Sequence, residues 1–542
     1  MGRLDRWIES WRGAALAALI AVAAGLPGLI ALPTLDRNEA RFVQATSQML
    51  ETGDFTAIRF QERLRGGAAP GGHWLQAAAV TLIADPESRS IWIFRLWSLA
   101  GAALTAAACV WGGAPLFGRG PAFLAGASLG ASFVLGRAAG MATADALFAG
   151  VCALMIAAFA RIYVANTEGR SLRRRDRVFL WVGLIAAVLI KGLLPLALIA
   201  FAGASLFALD RRADWFKRLG LGWGLLALAA LAGPWVVAVT VATDGQFWAP
   251  LGPPATQGEW PGWQTLDAAL LMFPATALFP FAVAYAWDHR KTVGVRVALC
   301  WLIPGWLMFE FMPGRQVFST LPLYIALMWL GAAGLLAPRT SRLPMLFGAA
   351  LSALASLGLA AASIWLAGRF GQATDLAVGG LSALLFVGAG VAAAIAVLRP
   401  ASAAAPPMIA ALLLSLAAQG WMTGVLLPRL DGLWATRQTL RALHAAALDP
   451  REGLAVGPVA STGYSEPSLV FALGAKTETG DGGLAAQAIA EGRPAIVEAA
   501  ETGVFQAALR RLGVRADVVD EVAAYDYVLG RDLNLTIYRR RD

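Results

Sequence analysis

Cysteine is nearly absent. Cys109, Cys152 and Cys300 are the only three in 542 residues, and all sit inside apolar runs. That excludes a disulfide framework and a cysteine metal motif, and leaves buried structural thiols. Charge is also scarce. Only 15% of residues are Asp, Glu, Lys or Arg, while 58% are hydrophobic and the mean hydropathy is +0.62. A soluble fold of this length cannot hide so much apolar side chain, so the chain is expected to cross a membrane many times. No internal repeat is visible, and low complexity is confined to the Ala-rich stretch 401–407. The lack of inverted repeats and of midplane polar residues counts against a transporter.

The net charge of +9 is unevenly spread. Arginines and lysines crowd into short loops at 170–177, 211–218 and 290–296, with Arg339, Arg342 and Arg399 extending the set. Clustering of this kind marks cytoplasmic loops and is no nucleic-acid footprint. The 20 tryptophans suit anchoring at a bilayer interface. The first apolar run, 13–32, follows Arg3, Arg6 and Arg12 and has no small-x-small site after it, so it reads as an uncleaved helix. Further apolar runs fall near 92–111, 121–138, 144–163, 178–190, 193–209, 219–242, 268–287, 295–311, 321–336, 343–367, 376–398 and 406–427. The expectation is about 13 transmembrane helices, with the short pair either side of Lys191-Gly192 as a broken re-entrant unit. The N-terminus is then cytoplasmic. The loops 33–76 and 243–266, and everything after residue 427, face outside.

Residues 428–542 change character. Apolar runs shorten, and charge and glycine rise. Helical patterns at 434–446, 484–491 and 504–512 alternate with strand-like runs at 454–459, 469–473, 495–498, 516–522 and 533–538. The pattern predicts a small extracytoplasmic α/β domain beside a membrane domain at 1–427.

The loop 33–76 is polar and dense in charge of both signs. Ala40, Val43, Met49 and Leu50 partly repeat at helical spacing, and Thr52-Gly53-Asp54 would end that helix. The loop is either an ordinary solvated connection or an active-site loop on the membrane surface. Its blocks Asp36-Arg37-Asn38-Glu39-Ala40-Arg41-Phe42 and Met49-Leu50-Glu51-Thr52-Gly53-Asp54-Phe55, with Arg59-Phe60-Gln61 and His73-Trp74-Leu75-Gln76, resemble the first external loop of the GT-C-class polyprenyl-phosphate-sugar glycosyltransferases. Relatives in that class include lipid A aminoarabinose transferases and protein O-mannosyltransferases. Later blocks add to the likeness. They are Thr143-Ala144-Asp145-Ala146, Leu189-Ile190-Lys191-Gly192, and Arg315 to Phe318 ahead of Leu321-Pro322-Leu323-Tyr324.

The resemblance implies a GT-C-type polytopic membrane protein in a bacterial-type inner membrane, with its C-terminal domain periplasmic. It would move a sugar from a polyprenyl phosphate to a lipid, glycan, lipid A or protein acceptor. Such transfer needs a carboxylate to take the acceptor proton, positive charge on the departing phosphate, and an apolar path for the tail. The class places an Asp just before the Glu of the first block, where this chain has Asn38. Asp36 and Glu39 are the neighbouring carboxylates that would substitute, unless they only cap a helix. Asp145 is the third catalytic candidate, and helix capping is its alternative too. The class's Glu-Lys-Pro element falls on Gly67, Ala68 and Ala69. Arg63, Arg65, Lys191 and Arg315 are the candidates for the phosphate, against plain surface charge or snorkelling. No metal ligand is assigned, although a divalent metal would suit the chemistry. A catalytically silent homologue that binds lipid-linked sugar or a partner enzyme is the rival reading.

Overall fold

The computed structural model describes residues 11–211, 213–248, 263–312, 317–338, 341–452 and 457–541. Eight of its helices are long and apolar enough to cross a membrane, or nine if one bent pair counts as a single span. The chain is a polytopic helical membrane protein, but the expected thirteen spans are not reached among the described residues. Three runs explain most of the shortfall. Leu194–Asp210 and Leu321–Leu336 form helices that are apolar but short. The run at 268–287 breaks into Trp263–Leu271, Ala275–Leu278 and Phe279–Asp288. Pro274 and Pro280 interrupt it, because proline has no N–H to continue a helical ladder.

The first span is α1 (Trp11–Ala31), and the first loop holds α2 (Asn38–Thr52). As its sequence predicts, α2 ends at Gly53, whose φ of 72° lets its N–H reach the Met49 carbonyl. A short hairpin follows, β1 (Arg59–Phe60) paired with β2 (Arg63–Leu64). Next comes α3 (Gly71–Ile83), then the span α4 (Ile91–Phe117). The bent pair is α5 (Arg119–Gly130) and α6 (Phe133–Ala139), which meet at 57°. Behind it come α7 (Asp145–Thr167), α8 (Arg174–Lys191) and α9 (Leu194–Asp210).

Small residues set the spacing of these helices. A Cβ on Gly101 of α4 would stand 2.4 Å from the Leu147 Cα of α7, and one on Gly150 would stand 2.5 Å from the Gly101 carbonyl. The two backbones therefore touch, as membrane helices do where side chains are smallest. That crossing fixes the start of α7, and Asp145 with it.

The remaining spans are Leu221–Ala242, Val293–Phe311, Leu343–Phe370, Ala373–Leu398 and Ala405–Arg429. Beyond them lies a sheet of five strands in the order β4-β3-β5-β7-β6. These are β3 (Ala460–Thr462), β4 (Glu478–Gly480), β5 (Ala495–Glu498), β6 (Ala516–Asp526) and β7 (Arg531–Arg540). β3 runs parallel to β4 and β5, whereas β7 is antiparallel to β5 and β6. Its helices are α10 (Ala435–Ala445), α11 (Pro467–Leu473), α12 (Gly482–Ala490) and α13 (Thr502–Leu512). The run at 469–473, expected as a strand, is helical. Pro467 at the first turn favours that start, and Leu469 and Leu473 face one core. The expected strand at 454–459 lies partly outside the described residues, and β4 had no strand signal.

The C-terminal domain docks on the first loop and the start of α4. Phe471 meets Phe94 edge-on with centroids 5.6 Å apart. Gln61 donates to the carbonyls of Thr477 at 2.7 Å and Ala475 at 3.2 Å. The Asp36 N–H donates to the Tyr527 hydroxyl at 2.6 Å.

Candidate active site

The turn before α2 sends neighbouring residues to different places. Arg37 adopts a φ of 59°, rare for a side chain other than glycine or asparagine. Asn38 then lines a cavity of about 210 Å³, while Asp36 lines another of about 500 Å³ against the C-terminal domain. Glu39 faces neither.

Three elements close the smaller cavity. The hairpin supplies Arg65, the start of α7 supplies Asp145, and the end of α8 supplies Lys191. Lys191 Nζ lies 2.9 Å from Asp145 Oδ1, and the Thr143 hydroxyl donates to Asp145 Oδ2 at 3.0 Å. Asp145 is buried, while Lys191 keeps 30% of its side chain exposed. Gly192, with φ 64°, ends α8 immediately after the lysine. Pro70-Gly71-Gly72 brings α3 close: a Cβ on Gly71 would stand 2.7 Å from the Leu189 carbonyl, and one on Gly72 would stand 2.9 Å from the Phe42 ring. Gly67, Ala68 and Ala69 also line the cavity.

His73 forms the floor. Its ring stacks on Phe42 with centroids 3.8 Å apart, and its Nδ1 is 2.9 Å from the Thr46 hydroxyl. Burial, with help from the Arg65 charge, pushes its pKa down to about 3, so the imidazole is neutral. Gln76 accepts from Thr46 at 2.9 Å and donates to the Phe94 and Ala142 carbonyls at 3.1 and 3.2 Å. This network ties α2, α3 and α4 to the approach of α7.

Glu39 is engaged elsewhere. It takes both forks of Arg95, Nε to Oε1 and Nη2 to Oε2, at 2.8 Å each. The N–H groups of Ala142 and Leu35 donate to it at 2.5 and 2.8 Å. Neither side chain of the pair has any exposure. Glu39 has no open path to the cavity, so its expected place among the catalytic carboxylates is corrected to that of a buried tether. Arg95 was not singled out from the sequence. Its signal is an arginine inside an apolar span, where an ionisable group needs a partner.

Asp36 turns away from Lys191, because the Arg37 turn directs it into the junction with the C-terminal domain. Burial first, and the nearby Asp526 charge, push its pKa up to about 6 against hydrogen bonds from Ser468 and Tyr527. Glu466, 3.7 Å from Arg37, is pushed up to about 7 by burial and by Asp36. Among the phosphate candidates, Arg63 and Arg65 line a groove of about 1050 Å³ between the hairpin and the C-terminal domain, with Arg41 and Lys476. Arg65 alone of these reaches both groove and cavity. Burial and the Arg41 charge lower its pKa. Arg315 and most of the loop 243–266 lie outside the described residues. No group of three His, Cys, Asp or Glu side chains suited to a metal ion occurs among the described residues.

No family model matches this sequence, and no curated protein matches it. Solved structures do match. ArnT from Cupriavidus metallidurans in the apo state superposes with a TM-score of 0.76 at 17% identity, over 99% of this chain and 98% of that one. The same protein bound to undecaprenyl phosphate gives 0.71 at 16%, over 96% and 97%. The apo oligosaccharyltransferase of Archaeoglobus fulgidus gives 0.50 at 12%, over 86% and 64%. The chain therefore has the GT-C fold, from its first span through its C-terminal domain.

Proposed function

We propose that the chain transfers a sugar from a polyprenyl-phosphate donor to a lipid, glycan or protein acceptor at the outer face of a bacterial-type inner membrane. The meeting of Asp145, Lys191 and Arg65 in one cavity beside apolar helices carries this reading. The complex of ArnT with undecaprenyl phosphate supports the donor class. The clustered arginines of the loops at 170–177, 211–218 and 290–296 support a cytoplasmic N-terminus and a periplasmic C-terminal domain.

In the free protein Lys191 and Asp145 hold each other. A donor phosphate entering beside them gives Lys191 a second anion, and Arg65 a bidentate one. Asp145 is then released to accept the acceptor proton. The acceptor oxygen bonds to the anomeric carbon as the carbon–phosphate-oxygen bond breaks. Polyprenyl phosphate leaves with its negative charge against Lys191 and Arg65, where a low local dielectric makes each cation count for more. Asn38 lies where an amide can orient, but not deprotonate, the acceptor. The cavity has one carboxylate, a poor cradle for a divalent metal, so the phosphate charge is assigned to side-chain cations.

One observation favours the silent-homologue reading. Asn38, Gly67, Ala68 and Ala69 all line the cavity without a base or a cation. A single assay separates the two readings. The purified chain is given labelled polyprenyl-phosphate sugars and lipid, glycan and peptide acceptors, with magnesium, with manganese, and with chelator. Transfer that disappears in Asp145→Asn supports the enzyme. Tight polyprenyl-phosphate binding with no transfer from any donor supports the silent form.

A further inference from the structure

The cavity that Asp36 faces shares no lining residue with the transfer cavity. It holds about 500 Å³ between the first loop, the start of α4 and the C-terminal helices α10 and α11. Four guanidinium groups line it: Arg89, Arg437, Arg441 and Arg451. Two carboxylates, Asp431 and Glu51, pair with three of them. Arg437 and Arg441 both draw on Asp431. Arg451 is held by two carbonyls, Glu87 at 2.7 Å and Ala472 at 3.2 Å. Arg89 reaches Glu51 through Nη2 alone and lies 5.4 Å from the Phe471 ring centre. The cations also repel in pairs, Arg89 with Arg451 and Arg437 with Arg441.

Three further guanidinium donors beneath the cavity wall also lack an acceptor among the described residues. Arg89 is only 9% exposed, yet its Nε and Nη1 are buried without an acceptor, and so is Arg437 Nε. A buried N–H without an acceptor is destabilising, and folded proteins keep few of them. The two carboxylates of the lining do not answer this need. Asp449 accepts the Arg451 backbone N–H at 3.0 Å, and Asp36 hydrogen-bonds with Ser468 and Tyr527 while its Oδ1 is left without a donor.

We infer that this cavity is an anion site for a phosphate group, with the four arginines as donors. Guanidinium forks suit a tetrahedral oxyanion, which can take several at once. The volume exceeds one phosphate, and Ile91, Leu433, Trp434 and Phe471 make part of the wall apolar. The site also lies where one span begins at Ile91 and another ends at Arg429. A lipid headgroup and free phosphate share the required chemistry. The site is independent of the transfer reading, since none of its arginines touches Lys191 or Asp145.

Two arms test it on the full chain. Inorganic phosphate is titrated in detergent while the thermal midpoint is followed. In parallel, native mass spectrometry counts lipids retained from phosphatidylglycerol and from phosphatidylcholine nanodiscs. Phosphate should raise the midpoint, or phosphatidylglycerol should be retained in preference, and the arm that responds identifies the source. Arg437→Gln with Arg441→Gln should weaken the response about tenfold or more, while Arg441→Lys retains most of it. If the double variant fails to fold, Arg441→Gln alone, on an exposed side chain, gives the same readout. No response in either arm, or an unchanged response in the folded variants, overturns the assignment.

Discussion

Two carboxylate–cation pairs flank the α2 region, and they differ in what they have left to give. Glu39 and Arg95 are fully buried, and the pair is saturated. Arg95 bonds Glu39 twice and also donates to the Leu32 carbonyl at 2.7 Å and the Pro33 carbonyl at 2.9 Å. Asp145 and Lys191 share a single 2.9 Å contact in an open cavity. The same chemistry is a fastener in one place and an exchangeable pair in the other. Spare hydrogen-bonding capacity and access separate them, not charge.

Breaking the saturated pair should have the largest effect. Arg95→Met strands the Glu39 carboxylate and frees the end of α1 and the approach to α7 together. Losing one partner of a buried pair typically costs about 3–5 kcal/mol. Arg95→Met should therefore express poorly or melt well below the parent in a thermal scan. A variant that melts with the parent would mean the pair is not a fastener.

The exchangeable pair should behave in the opposite way. Lys191→Ala should lower the thermal midpoint far less than Arg95→Met, because Lys191 is partly exposed and Asp145 keeps its hydrogen bond from Thr143. Transfer should fall about 10²–10³-fold, as expected when phosphate stabilisation is lost. A midpoint that drops as far as in Arg95→Met would erase the distinction between the pairs.

Much of this was legible in the sequence, and the limits have physical causes. Apolar runs give the spans because a membrane helix must satisfy its backbone internally. The helix at Asn38–Thr52 shows through its spacing and its glycine stop. Lys191 and Asp145 stand out as charges at the ends of apolar runs. Their partnership does not, because 46 residues separate them and the contact depends on how α7 meets α8. Asp36 and Glu39 look equally able to stand in for the acid missing at Asn38 in a one-dimensional reading. Only the positive φ of Arg37 and the pairing with Arg95 divide them. The helix at Pro467–Leu473 reads as a strand because seven residues are too few to show a helical period.

Restoring a carboxylate at the turn sharpens the comparison. Asn38→Asp puts a second acid into the cavity that holds Lys191, where Glu39 cannot reach. If the donor phosphate takes Lys191, the new acid adds a base and transfer should rise about tenfold, a modest share of what a positioned base supplies. Rate is the readout, in the same labelled-donor assay. An unchanged rate together with an unchanged KM would mean that Asp145 already saturates the proton transfer.

The smallest effect concerns a third kind of carboxylate, neither saturated nor exchangeably paired. Asp36 and Glu466 sit at the junction of the first loop with the C-terminal domain, and each leaves one buried oxygen without a donor. Their pKa values are raised from 3.8 to about 6 and from 4.5 to about 7, with burial the first cause of each. Asp526 and the tyrosines Tyr464 and Tyr527 face them, with Arg37 and Arg41 as the nearby cations. An acid with a raised pKa keeps its proton longer in the docked state than in the undocked one. The docked state therefore binds more protons between about pH 4 and pH 7, and docking weakens as pH rises through that window. Solvent at the junction screens part of these shifts, so a change on the order of 1–2 kcal/mol is expected from pH 5 to pH 8. Hydrogen exchange around Tyr527 should be faster at pH 8 than at pH 5, after correction for intrinsic exchange. Asp36→Asn and Glu466→Gln should flatten that difference. Protection that rises with pH would reverse the sign and show these carboxylates to be held charged by Arg37.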